Sequence, residues 1–149
     1  RYRHFVEMMQ YSAIFKTRLS HAWKYGGEYD RLVNLLNGAP NFSYLNYSAP
    51  QYNPLQNLDS TDVHTKAEIR AAIDRKIAPC SCILVISGMY AAYREWMQYE
   101  IDVAKRMGKP IIAISPWGGS VMPIAVSNAA TKIVGWNTSS IVSAIRACT

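Results

Sequence analysis

The chain has 149 residues, half of them hydrophobic and only 17% charged, with a formal net charge of +6. That length suits one domain, and that composition supports a substantial core and excludes a disordered polypeptide. The longest apolar runs, Cys82 to Ile86 and Ile111 to Ile114, are far too short to cross a bilayer, and no basic-then-apolar leader opens the chain. A cytoplasmic domain without a membrane partner is expected.

Arg1, Arg3, Lys16, Arg18 and Lys24 against Glu7 give the first 24 residues a net charge of +4. No nucleic-acid-binding motif or basic-aromatic repeat accompanies this charge, so nucleic acid is not an expected partner. A solvated basic face that attracts a phosphate-bearing ligand is the simpler reading. The three cysteines Cys80, Cys82 and Cys148 cannot all pair with one another. Cys80-Ser-Cys82 lacks the gap of a zinc knuckle, so no metal site is expected and the thiols read as buried or idle in a reducing compartment.

In chain order, Ile14 to Ser20 reads as a first strand, though an imperfect one. Glu28 to Asn37 carries Tyr29, Leu32, Val33, Leu35 and Leu36 at helical spacing, closed by Gly38. Phe42 to Tyr47 reads as a second strand. Residues 48 to 60 form a long connection with two prolines, the kind of loop that carries function. Thr61 or Asp62 caps a helix running to about Ile77, with Val63, Ala67, Ile69, Ala72 and Ile73 inward.

Cys82 to Ile86 is a continuous apolar run, the mark of a strand covered on both faces. A helix follows from about Ala91 to Met107, stopped by Gly108 and Pro110. Ile111 to Ile114 repeats the buried-strand pattern. The turn Pro116-Trp-Gly-Gly119 leads to a short helical piece, to a strand at Lys132 to Gly135, and to a last helix from Thr138 to Ala147. The alternation predicts an α/β domain of flavodoxin-like form, a doubly wound sheet of five parallel strands with helices on both faces. Ligands bind such sheets beyond the carboxyl ends of the strands. That rule selects Ser20 to Gly27, Tyr47 to Asn53, Ser87 to Tyr93 and Ser115 to Gly119.

Among ten carboxylates one stands out. On the Ala91 to Met107 helix, relative to Glu100, Trp96 lies at roughly −40°, Met97 at +60°, Tyr93 at +20°, Val103 at −60°, Ala104 at +40° and Met107 at −20°. Glu100 sits in the middle of the apolar stripe, while Glu95, Gln98, Asp102, Lys105 and Arg106 form the solvated face. A carboxylate so placed is costly unless paired, protonated or lining a cavity. Either it is a structural residue bonded at the margin of the core, or it faces a ligand cleft that tunes it. The loop Ser20-His-Ala-Trp-Lys-Tyr-Gly-Gly27 offers hydroxyl, imidazole, indole and ammonium groups ahead of a helix N-terminus that favours anions, or else is an ordinary turn. His4 and His64 have no visible partners and read as surface residues.

Leu19-Ser-His-Ala-Trp23, Asn46-Tyr-Ser-Ala-Pro50, Ile86-Ser-Gly-Met-Tyr90, Trp96-Met-Gln-Tyr-Glu100, Gly108-Lys-Pro-Ile-Ile112 and Ile133-Val-Gly-Trp136 follow one another in that order. Together they resemble the bacterial TIR-like domains, in the branch related to Thoeris-type antiphage signalling proteins. The likeness covers about residues 12 to 147. It divides the chain into an N-terminal extension, residues 1–11, and a TIR-like domain, residues 12–149.

The resemblance implies the flavodoxin-like fold and cleavage of NAD, as substrate rather than cofactor, at the nicotinamide–ribose bond. The products would be nicotinamide and ADP-ribose or a cyclic isomer. The family's catalytic glutamate, in a Trp-x-x-x-Glu pattern, falls on Glu100. Ser20, His21 and Trp23 would line the nucleotide pocket, with Ser87 and Trp96 shaping its wall. Tyr47, Pro50 and Tyr52 would belong to the loop through which members assemble into homo-oligomers, and a downstream effector would sense the product. Phe15-Lys-Thr-Arg-Leu19 is less apolar than the family's first strand, so Lys16 or Arg18 would have to be buried, paired or displaced. Two other readings use the same features: a non-catalytic interaction module with a structural Glu100, and a nucleoside deoxyribosyltransferase-like enzyme.

Overall fold

The computed structural model describes residues 4–8, 23–46, 66–89, 94–115 and 121–148. Their elements are β1 (His4–Met8), α1 (Trp23–Asn37), β2 (Tyr44–Asn46), α2 (Lys66–Ile77), β3 (Cys82–Ile86), a 3-10 turn (Ser87–Met89), α3 (Arg94–Arg106), β4 (Ile111–Ile114), α4 (Ile124–Ala129), β5 (Lys132–Val134) and α5 (Thr138–Cys148).

The two continuous apolar runs lie side by side. β3 and β4 pair in parallel from Ile83↔Ile111 to Ile86↔Ile114, and every residue of both strands is buried. Alternation is absent because both faces of these strands are covered. The strand order is β2-β1-β3-β4-β5, and each neighbouring pair is parallel. This is an α/β domain with a parallel sheet and flanking helices.

The order dictates where the helices go. The chain moves from β1 outward to β2, then crosses back past β1 to β3 and continues to β4 and β5. With right-handed crossovers, α1 lies on one face and α2, α3 and α4 on the other. The packing agrees: α2 lies on α3, α3 on α4, and α1 on α5. Leu32, Leu36, Ile141 and Ile145 fill one layer, and Ile73, Ile77, Met97 and Val103 the other, all without exposed surface.

α2 and α3 are tied along their length. Lys66 Nζ meets Glu95 Oε1 at 2.8 Å near their N-termini, Tyr99 Oη donates to Asp74 Oδ1 at 2.8 Å midway, and Lys109 Nζ donates to the Ala78 carbonyl at 2.9 Å at the far end. α3 stops as expected at Gly108, which takes φ +70°, a left-handed conformation suited to a residue without Cβ. The Gly108 N–H donates to the Lys105 carbonyl and the Lys109 N–H to that of Ala104, closing a Schellman motif. α5 begins on a cap that the periodicity did not mark: Asn137 Oδ1 accepts the Ser140 N–H at 3.0 Å.

Several expectations need correction. The strand between β2 and β3 is His4–Met8, within the segment read as an extension, and Ile14 to Ser20 with Lys16 and Arg18 lies outside the described residues. The first helix begins at Trp23 rather than Glu28, so Trp23 to Gly27 form helix, not loop. Glycines at 26 and 27 cost a helix about 1 kcal/mol each, a penalty that lowers its propensity without forbidding it. β2 is shorter than Phe42 to Tyr47.

Ala67 is exposed while Ala72 and Ile73 are buried, because Ala67 lies about 140° from Ala72 around the helix. Met107, placed in the apolar stripe by its angle, follows the last residue of α3 and is exposed. Cys80 and Cys82 are buried and Cys148 half-buried, all as free thiols. Among the described residues no helix is long and apolar enough to cross a membrane.

Candidate functional site

A sheet in which one crossover runs left and the next runs right opens a crevice at the reversal, beyond the carboxyl ends of the two strands involved. Here those strands are β1 and β3. At the end of β3, Ser87 and Gly88 begin the 3-10 turn that leads toward α3. Ser87 is 1% exposed, and its Oγ has no hydrogen-bond partner among the described residues. Such an orphan buried hydroxyl is rare and calls for an explanation.

The residue beside it receives a carboxylate from the opposite helix layer. A Cβ at Gly88 would stand 3.2 Å from Glu28 Oε2 and 3.3 Å from Oε1, so the Glu28 side chain of α1 lies directly against the Gly88 backbone. Glu28 is half-buried. Burial pushes its carboxyl above the usual range, with no opposing charge or hydrogen bond among the described residues.

Sequence reasoning missed this residue, yet the signal was present. Glu28 lies about 40° to one side of Leu32, with Leu36 about 40° to the other, so it borders the apolar stripe of α1. It is a milder form of the intrusion that drew attention to Glu100. One turn farther along α1, the Arg31 guanidinium sits 5.9 Å over the Trp136 ring, whose Nε1 donates to the Ser115 carbonyl at the end of β4. α1 therefore reaches residues that follow β3, β4 and β5 along one edge of the sheet.

On the other face, α3 carries Trp96 and Glu100. Trp96 is 9% exposed and Glu100 has no exposed surface, with Met97, Ile101, Val103 and Ala104 buried beside them. Glu95, Asp102, Lys105 and Arg106 are exposed, as the helical wheel requires. Glu100 is engaged by its surroundings inside the fold rather than free. Its amphipathic helix is fixed in rotation by the Tyr99–Asp74 hydrogen bond one residue away. Arg70 over the Tyr99 ring at 5.8 Å adds a cation–π contact.

Of the residues expected to form the site, Ser87, Trp96 and Glu100 are therefore buried on β3's end and on α3. Ser20, His21, Tyr47, Pro50 and Tyr52 lie outside the described residues. Trp23 opens α1, and only its backbone is described. Cys82 has no place in this chemistry: burial, and then the nearby Cys148, push its thiol up to about 12.

No protein among curated sequences matches the chain significantly. The family of the TIR-like domain of the Thoeris protein ThsB matches residues 19–120. That span includes α1, the switch-point turn and the whole of α3 with its Trp96-to-Glu100 spacing. The chain belongs to the Thoeris ThsB family of TIR-like domains.

Proposed function

We propose that this domain is an NAD-cleaving enzyme of flavodoxin-like form. It breaks the nicotinamide–ribose bond and releases nicotinamide with ADP-ribose or a cyclic isomer, as a signal in antiphage defence. The observation that carries this reading is Glu100, a wholly buried carboxylate in the apolar face of the helix that follows the switch-point strand. Burying a carboxylate is costly, and such residues concentrate at functional sites.

The chemistry fits one carboxylate. Departure of nicotinamide leaves positive charge spread over C1′ and the ring oxygen of the ribose. A fixed negative charge in a water-poor setting stabilises that oxocarbenium-like state more strongly than the same charge in water. Nicotinamide leaves as a neutral base, so no proton donor is required. Capture of C1′ by water gives ADP-ribose, and capture by a nucleophile on the same molecule gives a cyclic product.

Burial also sets a condition. No atom of Glu100 meets solvent in this conformation, so substrate reaches it only when what covers it moves. Assembly of several copies in the cytoplasm, through the segment that includes Tyr47, Pro50 and Tyr52, is the proposed trigger. A downstream effector would read the nucleotide product. The same zero exposure favours a second reading, a non-catalytic interaction module in which Glu100 is structural.

Incubation with NAD at protein concentrations spanning assembly, with products resolved by chromatography, separates the two. The enzymatic reading expects nicotinamide release that rises faster than protein concentration and is abolished in Glu100→Gln. Assembly without nicotinamide release leaves the module.

A further inference from the structure

We propose that Glu28 is a second ligand-binding carboxylate of this site, accepting hydrogen bonds from the vicinal hydroxyls of a ribose at the end of β3. The inference deepens the NAD reading and rests on it for the identity of the sugar.

Three observations converge on one turn. Glu28 comes from α1 and Ser87-Gly88 from the end of β3, so the juxtaposition bridges the two strands at the reversal of the sheet. The carboxylate approaches Gly88 to a distance that a side chain there would contest, 3.2 Å from the Cβ position. Ser87 Oγ, next to Gly88 in sequence, is buried and has no hydrogen-bond partner among the described residues. A carboxylate held in partial burial with no opposing charge among the described residues, against the glycine that follows a serine with an orphan hydroxyl, lowers the stability of the empty protein. Both deficits are repaired by a ligand that donates hydrogen bonds.

Vicinal hydroxyls match this demand. Two adjacent O–H groups donate to the two oxygens of one carboxylate, and either hydroxyl oxygen can accept from a serine. A phosphate would be repelled by Glu28, and an apolar group would leave both polar groups unsatisfied. Glu28 is also more exposed than Ser87 or Glu100, so it is the member of the set that an incoming sugar meets first. Glu100 then acts at the reacting carbon while Glu28 holds hydroxyls.

The test uses the full chain and compares ADP-ribose with ADP-ribose whose vicinal diols have been opened by periodate and reduced. Binding of each is measured by calorimetry for wild type, Glu28→Gln, Gly88→Ala and Ser87→Ala, with thermal melts as the folding control. Wild type is expected to prefer the intact diol. Glu28→Gln should lose about 10- to 100-fold of that preference, the scale of hydrogen bonds to a charged group. Gly88→Ala, which keeps the carboxylate but displaces it, should lose preference in the same direction, and Ser87→Ala should lose less than Glu28→Gln.

Retention of the full preference in folded Glu28→Gln overturns the proposal, as does failure of wild type to bind intact ADP-ribose. Nicotinamide release is followed in parallel. A Glu28-dependent diol preference without nicotinamide release upholds this site and overturns the cleavage reading. Nicotinamide release with the preference intact in Glu28→Gln does the reverse.

Discussion

The phenol of Tyr99 donates a 2.8 Å hydrogen bond to Oδ1 of Asp74, joining α3 to α2 one residue before Glu100. Rotation of α3 about its axis would break this bond, and it is the same rotation that would carry Glu100 out of the buried face. The bond is thus a clamp on the orientation of the candidate catalytic side chain. Arg106 Nη2 stands 3.8 Å from the same Asp74 oxygen, too far to replace the phenol as a hydrogen-bond donor.

Tyr99→Phe is expected to cost about 0.5–1.5 kcal/mol of stability, the usual net value of one hydrogen bond. Denaturant unfolding measures it. Asp74→Asn should cost less than Asp74→Ala, because an amide oxygen still accepts from the phenol. Equal stability of Tyr99→Phe and wild type would mean that the clamp is absent in solution.

Glu100→Gln preserves size and hydrogen-bonding shape while removing the charge. Nicotinamide release should fall by about 10²- to 10³-fold, the effect of deleting one preorganised electrostatic contact in a transition state. Far-ultraviolet circular dichroism should be unchanged. Activity within a factor of three of wild type would exclude Glu100 from the chemistry.

Glu28 makes stability depend on pH with a definite sign. Burial raises its carboxyl in the folded state above the ordinary value of 4.5. Its contribution is therefore most favourable below that value, where the group is protonated in both states, and is lost as pH rises through the folded pKa. The melting temperature of Glu28→Gln minus that of wild type should increase from pH 4 to pH 7.5. A difference that stays flat or shrinks would show that the carboxylate is solvated.

Thiol labelling should distinguish the three cysteines. Cys80 and Cys82 are both buried away from reagent, and the Cys82 thiol is held up to about 12 by burial and by Cys148, so Cys82 does not form thiolate near neutrality. Half-buried Cys148 should take up iodoacetamide first at pH 8, giving one adduct per folded chain by mass spectrometry. Adducts at Cys82 on the same timescale would show that β3 opens.

Elements whose burial follows from short-range pattern were legible in the residues. β3 and β4 could be read because strands covered on both faces have no reason to alternate, and α3 because its charged and apolar residues separate at 100° per residue. Glu100 could be picked out for the same reason, as a charge on the wrong side of a well-marked helix. The start of α1 was misread because Gly26 and Gly27 weigh against a helix locally, while the helix is retained in the folded chain. β1 was not read because Phe5, Val6 and Met8 make too short a pattern to mark a strand, and only pairing with β2 and β3 identifies them.

The amino-acid order by itself settled the α/β class, the two central strands and the intrusion of Glu100 into an apolar face, since each depends on periodicities that residues express within a few turns. Only the tertiary structure brought Glu28 to Gly88 and left Ser87 Oγ without a partner among the described residues. Those facts depend on where the chain reverses its direction of travel across the sheet. That reversal joins residues some sixty positions apart through hydrogen-bonded strand order, a property carried by no local pattern.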